Sequence, residues 1–441
     1  MKLVVSPATR PLAGTIVIPG DKSIGHRSLL FSLLSATPVR VRGLGDGADN
    51  GRSAKAIVAL GARIDRDGDA LVIHGRGLAG MTAPAQPIDC GNSGTTIRLM
   101  CGLVAGQPFA TTLFGDESLS KRPMGRVIEP LAKMNVGIAS APGGTPPLVV
   151  GPLRGHVAPL QYVLPMASAQ VKTAILLAGL YAGGETSVTE PGPSRDHSER
   201  MLAYLGAPIA THGRRTAIDT TGWNRYLEGH AFEVPADPSS AAFLVAAALV
   251  AGAVEVRLPN VCVNPTRTGF LDAIAAMGGV VTLENPRQAG PEPVADLVVR
   301  GPAQGLVATE IAGDLAVRSI DELPILAVLA ARARGTTIVR DAQELRVKES
   351  DRVETTCAML RAFGVTCEAR PDGFAVEGQP ERPFAPGHVH ADGDHRIAMA
   401  GAIAGLVATA ASQIDDADNV ATSYPGFVAA LAQLGATIAA A

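Results

Sequence analysis

The chain has 441 residues, 47% of them apolar and 18% charged, a balance that supplies a large core and excludes global disorder. Its 38 Lys and Arg against 41 Asp and Glu leave a net charge of −3, with only 4% aromatic residues. That argues against nucleic acid as a partner, because phosphate backbones need a basic surplus and single strands need stacking platforms.

The first five residues run into Ser6 and Pro7 before a signal-peptide core can form, so the cytoplasm is the expected location. No apolar run reaches the roughly 18 residues of a membrane span. The best candidate, residues 241–251, reads as a buried helix. Strands are expected at residues 2–5 and 15–18, before a helix that opens at Asp21-Lys22-Ser23.

From there one phrase recurs: an apolar helix ends in a glycine and a small residue, then runs into a strand. The cap position falls at Gly61, Asn135, Gly206, Gly278, Gly364 and Gly435, in steps of 74, 71, 72, 86 and 71 residues. Glycine, or once asparagine, is what a left-handed helix terminus requires. A period of about 73 residues is a strand-helix module repeated six times.

After each cap come two strand-like runs joined by a turn, such as residues 62–65 with 70–73. A polar segment then opens a helix rich in small residues, near Asp21, Gly91, Ala167, Asp237, Ser319 and Asp392. The expected fold class is α/β, with two similar domains, each of three repeated strand-helix-strand-helix-strand units. The last repeat stops one strand after Gly435 and the first begins in mid-unit, so residues 1–20 are expected to close the sixth. The domains are then residues 21–235, and residues 1–20 with 236–441. A hinge is expected at the crossings near 20 and 235.

The five cysteines are an odd number without a C-x-x-C pair, which fits neither a disulfide framework nor a zinc site. They read as buried free thiols. His388 and His390 beside Asp392 lack helical ligand spacing, so no metal is expected.

Helix starts offer free N–H groups and a positive dipole end, which makes them anion sites. At Asp237-Pro-Ser-Ser capping alone explains the residues. Capping does not require Lys22 and Arg27, which stand together without the spacing of a P-loop. The charged loops Asp116 to Met124 and Arg346 to Arg352 occupy equivalent places in the second and fifth repeats. Asp321-Glu-Leu-Pro and Asp394-His395-Arg396 open apolar helices, and an acid in such surroundings suits proton transfer. Arginines in both halves, with a few carboxylates and one lysine, suit a small ligand bearing phosphate and carboxylate groups.

Nine stretches in order carry a resemblance. They are Asp21-Lys-Ser…His-Arg27, Gly91-Asn-Ser-Gly-Thr-Thr-Ile-Arg98, Ser118-Leu-Ser-Lys-Arg-Pro-Met124, Ser168-Ala-Gln-Val-Lys172, Ser194-Arg-Asp-His-Ser-Glu-Arg200, Asp321-Glu-Leu-Pro324, Arg346-Val-Lys-Glu-Ser-Asp-Arg352, Asp394-His-Arg-Ile-Ala-Met399 and Ser423-Tyr-Pro-Gly-Phe427. Together they resemble the 5-enolpyruvylshikimate-3-phosphate synthase family over essentially the whole chain.

The resemblance implies an enolpyruvyl transferase fold of the inside-out α/β barrel type. It implies transfer of the enolpyruvyl group of phosphoenolpyruvate to the 5-hydroxyl of shikimate 3-phosphate, with release of phosphate, on the route to chorismate and aromatic amino acids. No metal or organic cofactor takes part, and a monomer without membrane or nucleic-acid partners is expected. Carried over position by position, Lys22, Ser23, Arg27, Ser168, Ala169, Gln170, Arg195, Asp321 and Lys348 match shikimate 3-phosphate ligands. Lys22, Gly94, Arg122, Gln170, Arg352 and Arg396 match the phosphoenolpyruvate site. Asp321 and Glu349 match the acid/base pair, with Lys22 a second proton donor. Gly94 leaves room beside the phosphoenolpyruvate site, so inhibition by glyphosate, the family's known inhibitor, is expected.

Three positions depart from the family's pattern, and the loop Gly45-Asp-Gly-Ala-Asp-Asn-Gly51 is unusual for it. Gly25 stands where Ser or Thr is usual and removes a hydroxyl, Asn135 replaces a cap glycine, and Thr422 stands where some members carry a phosphate-binding Lys. A sister transferase acting on a UDP-amino sugar shows Lys-Asn in place of Lys22-Ser23 and a catalytic Cys loop, whereas residues 118–124 here contain no Cys. The RNA 3′-phosphate cyclase type is opposed by charge and aromatic content. A silent shikimate-phosphate binder is the alternative that Gly25 keeps open.

Overall fold

Six helices end in the same left-handed turn. In the computed structural model, which describes residues 1–301 and 305–440, φ is +98° at Gly61, +64° at Asn135, +86° at Gly206, +80° at Gly278, +76° at Gly364 and +101° at Gly435. At each cap the following amide returns to a carbonyl near the helix end, as in Val136 N to Leu131 O and Val365 N to Leu360 O, at 3.1 Å in both. Asn135 thus does the work of its five glycine counterparts, since asparagine tolerates this region better than other side chains.

Five of the caps lead into a hairpin and the sixth, at Gly435, into the single strand Ile438–Ala440; each belongs to a four-stranded sheet, six in all among the described residues. The second sheet shows the pattern. Ile88–Asp89 runs parallel to Thr111–Phe114, which pairs antiparallel with Thr145–Val150, which in turn pairs antiparallel with Ile138–Ala141. A helix, here Gly94–Leu103, links the parallel pair.

The N-terminal strands divide between two repeats. Leu3–Val5 lies between Ser412–Asp415 and Ile438–Ala440, completing the sixth sheet. The second strand is Leu12–Thr15 rather than residues 15–18, and it pairs parallel with Ala253–Cys262 in the fourth sheet. The sixth sheet already has its parallel edge strand, His388–His390, and so has no place for it. The fourth sheet lacks one because Phe232–Glu233, just before its helix, pairs instead with Val39–Arg42 of the first.

The chain forms two compact units. One holds Gly20–Val234 with Ala289–Glu292, and the other holds Met1–Pro19, Pro235–Gln288 and Pro293–Ala441. They are called here the first and second domain. The turn at Ala289–Glu292, assigned by sequence to the second domain, clusters with the first, where the buried Glu292 carboxylate meets His197 Nδ1 at 2.7 Å.

Each repeat contributes one inner helix that is buried nearly all round. These are Lys22–Leu33, Gly94–Leu103 and Ala169–Gly179 in the first domain, and Pro238–Ala251, Leu323–Ala331 and His395–Gly405 in the second. Every residue of the last two is buried. A helix apolar on all faces has to be a core element, and none among the described residues is long and apolar enough to cross a membrane. The capped outer helices are amphipathic instead; Gly125–Lys133 buries only Val127, Pro130 and Leu131. All five cysteines are buried and free.

Small residues set how closely the inner helices approach. A Cβ at Gly102 would overlap the backbone carbonyl of Ala174 on the neighbouring inner helix, with nothing flexible to yield. Gly102→Ala is therefore expected to lower stability by about 1–3 kcal/mol through overpacking. Urea unfolding checks this, and an unchanged midpoint would contradict such close packing.

Candidate active site

Burial of the inner helices leaves their N-termini as the places where polar groups gather. In the first domain the three N-caps are Asp21, Ser93 and Ser168, accepting from the amides of Ile24, Thr96 and Val171. None of these helices carries an acidic residue in its first turn, so the caps of the second and third leave the positive helix ends without a negative charge and only Asp21 places one at the first.

Cations surround these starts. Lys22 Nζ lies 3.2 Å from Asp49. Arg195 donates to Ser23 Oγ at 3.0 Å. Arg27 is buried and donates to the Ser23 carbonyl at 2.9 Å, Ser198 Oγ at 2.7 Å and Thr173 Oγ1 at 3.4 Å. Burial pulls its pKa down to about 10, with Glu199 opposing and Arg195 adding to the shift. The guanidinium therefore stays charged at neutral pH. Thr173 also donates to the Ala169 carbonyl at 2.6 Å, which joins the first and third helix starts.

Gly94 opens the second helix, and a Cβ there would come within 2.7 Å of Arg98 Nη1 and 3.4 Å of Arg122 Nη1. Arg122 is held by Asn92 Oδ1 at 2.7 Å and Ser118 Oγ at 3.3 Å. Gln170 accepts from Arg98 at 2.7 Å and donates to Thr95 Oγ1 at 3.0 Å. Arg98, which belongs to one of the nine stretches but to neither expected ligand set, is marked in the sequence as a lone charge one turn into an apolar helix. Beside Arg122, Lys121 is exposed and pairs with Glu117, an ordinary surface contact.

The Gly25 departure has a local counterpart. A Cβ at 25 would sit 2.6 Å from the Asn50 amide nitrogen and 2.9 Å from Leu44. Asn50, itself buried, fills the space a hydroxyl-bearing side chain would need. Thr422 donates to the Asn419 carbonyl at 2.6 Å within a 3-10 turn and brings no charge.

In the second domain the residues flanking the inner helix starts are all carboxylates: Asp237, Glu322 and Asp394. Each is close to one arginine, Arg267 at 3.3 Å, Arg396 at 3.8 Å and Arg352 at 2.7 Å respectively. Arg352, 1% exposed, also reaches Asp321 at 3.1 Å and Glu349 at 2.6 Å. Burial opposes its charge but three carboxylates outweigh burial, so its pKa is raised. For Asp394, burial pushes upward, and the charge and hydrogen bond of Arg352 together with His395 more than offset it, leaving the carboxyl below its ordinary range. Lys348 Nζ lies 3.7 Å from Asp321, and Arg396 donates to the Asp321 carbonyl at 2.9 Å.

Each domain thus assembles its share of the sequence-predicted residues. Lys22, Ser23, Arg27, Gly94, Arg122, Ser168, Ala169, Gln170 and Arg195 lie at the helix starts and adjoining loops of the first. Asp321, Lys348, Glu349, Arg352 and Arg396 form one ionic cluster in the second.

The family model described as EPSP synthase (3-phosphoshikimate 1-carboxyvinyltransferase) matches residues 7–431. The chain belongs to the EPSP synthase family. It is 49% identical over 422 residues to the 3-phosphoshikimate 1-carboxyvinyltransferase of Alkalilimnicola ehrlichii, covering 95% of this chain and 92% of that protein. It is 47% identical over 437 residues to the Acidithiobacillus ferrooxidans protein of the same name, covering 98% of each. The solved EPSP synthase of Acinetobacter baumannii superposes with a TM-score of 0.88 at 40% identity over 99% of both chains. The enolpyruvyl transferase NikO of Streptomyces tendae shares the fold, with a TM-score of 0.76 at 18% identity over 99% of this chain and 98% of its own.

On the Lys22–Leu33 helix, beside Arg27, His26 is buried, with Nδ1 2.8 Å from Ser53 Oγ and Nε2 3.4 Å from the N-cap Ser93. Burial drives its pKa from 6.5 to about 3, with Asp49 opposing and Lys22 and Arg27 reinforcing the drop. The folded state prefers the neutral ring, so this group's full stability is present above pH 6.5 and is lost as pH falls toward 3. The slope over that window should be on the order of 1.4 kcal/mol per pH unit. Urea unfolding at pH 7 and pH 5 should show a smaller difference for His26→Asn than for the unsubstituted chain. Equal differences would contradict a buried neutral imidazole.

Proposed function

We propose that the chain transfers the enolpyruvyl group of phosphoenolpyruvate to the 5-hydroxyl of shikimate 3-phosphate and releases phosphate. The observation that carries this reading is the division of labour in the residues. One domain offers helix starts and cations without first-turn acids, and the other offers two carboxylates embedded among Lys348, Arg352 and Arg396.

The shikimate phosphate is assigned to Lys22, Ser23, Arg27, Ser168, the Ala169 backbone, Gln170 and Arg195. Charge-assisted hydrogen bonds from a fixed donor fork suit a phosphate dianion. Phosphoenolpyruvate is assigned to Lys22, Gly94, Arg122, Gln170, Arg352 and Arg396, whose cations match its phosphate and carboxylate. Lys348 joins Asp321 at the reacting hydroxyl.

The alcohol is a poor nucleophile, so Asp321 accepts its proton as oxygen bonds to C2 of phosphoenolpyruvate. Glu349, with Lys22 as the second donor available, delivers a proton to the C3 methylene. In the resulting adduct the C2–O bond to phosphate breaks, and a C3 proton returns to the base as the double bond re-forms. Arginines stabilise the charge on the departing phosphate. The chain crossings at Pro19/Gly20 and Val234/Pro235 serve as the hinge in this reading, which also takes the enzyme as cytoplasmic and monomeric.

The test is release of inorganic phosphate from phosphoenolpyruvate that depends on shikimate 3-phosphate. Asp321→Asn should lower kcat by about 10²–10⁴-fold while calorimetry still detects shikimate 3-phosphate binding. An unimpaired variant would remove Asp321 from its role. We further propose that glyphosate inhibits in competition with phosphoenolpyruvate, since Gly94 presents no side chain toward Arg98 and Arg122. Gly94→Ala should weaken inhibition and raise KM for phosphoenolpyruvate together, and full turnover under saturating glyphosate at low phosphoenolpyruvate would refute this.

A further inference from the structure

The mechanism above leaves the buried acid Glu322 unused. Glu322 follows Asp321 directly and is 1% exposed. Its Oε1 accepts from Ser239 Oγ at the start of the Pro238–Ala251 helix. Ser239 Oγ also accepts from Arg267 Nη2 at 2.7 Å, and Arg267 reaches Asp237 at 3.3 Å. On its other side the same Glu322 oxygen stands 3.8 Å from Arg396 Nη1. Charges of alternating sign therefore run from Asp237 through Arg267, Ser239 and Glu322 to Arg396, spanning the helix starts of three repeats.

We propose that Glu322 is a positioning residue for Arg396. Arg396 Nη1 lies between the Asp321 carbonyl, at 2.9 Å, and the Glu322 carboxylate. The carbonyl supplies direction and the carboxylate supplies charge. Ser239 and Arg267 hold the carboxylate from behind, so it cannot swing out with the guanidinium and Arg396 is fixed against a rigid anion. A buried carboxylate is tolerated because it is paired and hydrogen-bonded. Glu322 does not touch substrate in this scheme; it acts by orienting the donor fork that Arg396 turns toward phosphoenolpyruvate, and so rests on the functional reading above.

Glu322→Gln keeps the size and one acceptor but removes the charge. It should raise KM for phosphoenolpyruvate by about tenfold, the value of one charge-assisted contact. KM for shikimate 3-phosphate should move by less than about twofold, because the ligands assigned to its phosphate group lie in the first domain. Ser239→Ala should shift KM for phosphoenolpyruvate in the same direction by less, and combining it with Glu322→Gln should add nothing, since both act along one chain of contacts.

Melting temperatures measured alongside separate positioning from loss of fold. Parallel changes in both KM values, an unchanged or lowered KM for phosphoenolpyruvate, or additive effects in the double variant would each overturn the proposal. The unsubstituted chain is the control for the reading beneath it: without shikimate 3-phosphate-dependent phosphate release, the functional reading fails and this inference with it.

Discussion

Burial of six helices on every side is the constraint from which the rest follows. An element with no solvent face cannot carry polar chemistry along its length, because an unpaired polar group inside a core costs more than packing returns. Charged residues therefore lie in the N-terminal halves of these helices, whose starts come with unsatisfied amides and a positive dipole. The repeat brings three such ends into each domain. Glycine and alanine make the arrangement possible by letting helices approach at backbone distance, as Gly102 does against Ala174.

The two domains use this scaffold in opposite ways. In the first, two serines and one aspartate cap the helix starts, and Arg27 and Arg98 nearby donate to the neutral Ser198, Thr173 and Gln170. In the second, each start carries a carboxylate with an arginine close by. One architecture thus yields helix starts ringed by cations in one half and an ionic cluster rich in carboxylates in the other.

What was legible in the sequence was whatever is locally determined. Cap positions depend on one residue's backbone preference, so even the Asn135 exception was readable, and strand hairpins follow their caps by a short turn. The destination of residues 12–15 was not legible, because an alternating strand has the same pattern whichever sheet receives it; only the prior occupancy of the sixth sheet by His388–His390 decides. Charged residues stood out against apolar helices, which is why Asp321, Arg352 and Arg396 could be singled out. Their mutual pairing, such as Arg352 with Asp394 42 positions away, depends on the three-dimensional meeting of repeats. The filling of the Gly25 space by Asn50 is of the same non-local kind.

Strand Leu3–Val5 has neighbours that are synthesised only at the far end of the polypeptide, Ser412–Asp415 and Ile438–Ala440. The first domain's residues emerge almost in one run, lacking only the turn at Ala289–Glu292, and most of it can consolidate while the ribosome is still translating. The second domain has no such option: Leu3–Val5 must wait, unpaired, for nearly the whole chain to be made, and Leu12–Thr15 for Ala253–Cys262. Late closure of that sheet makes the two halves kinetically unequal despite their shared design, and places the period of greatest exposure to aggregation and proteolysis in the half that carries the ionic cluster around Arg352.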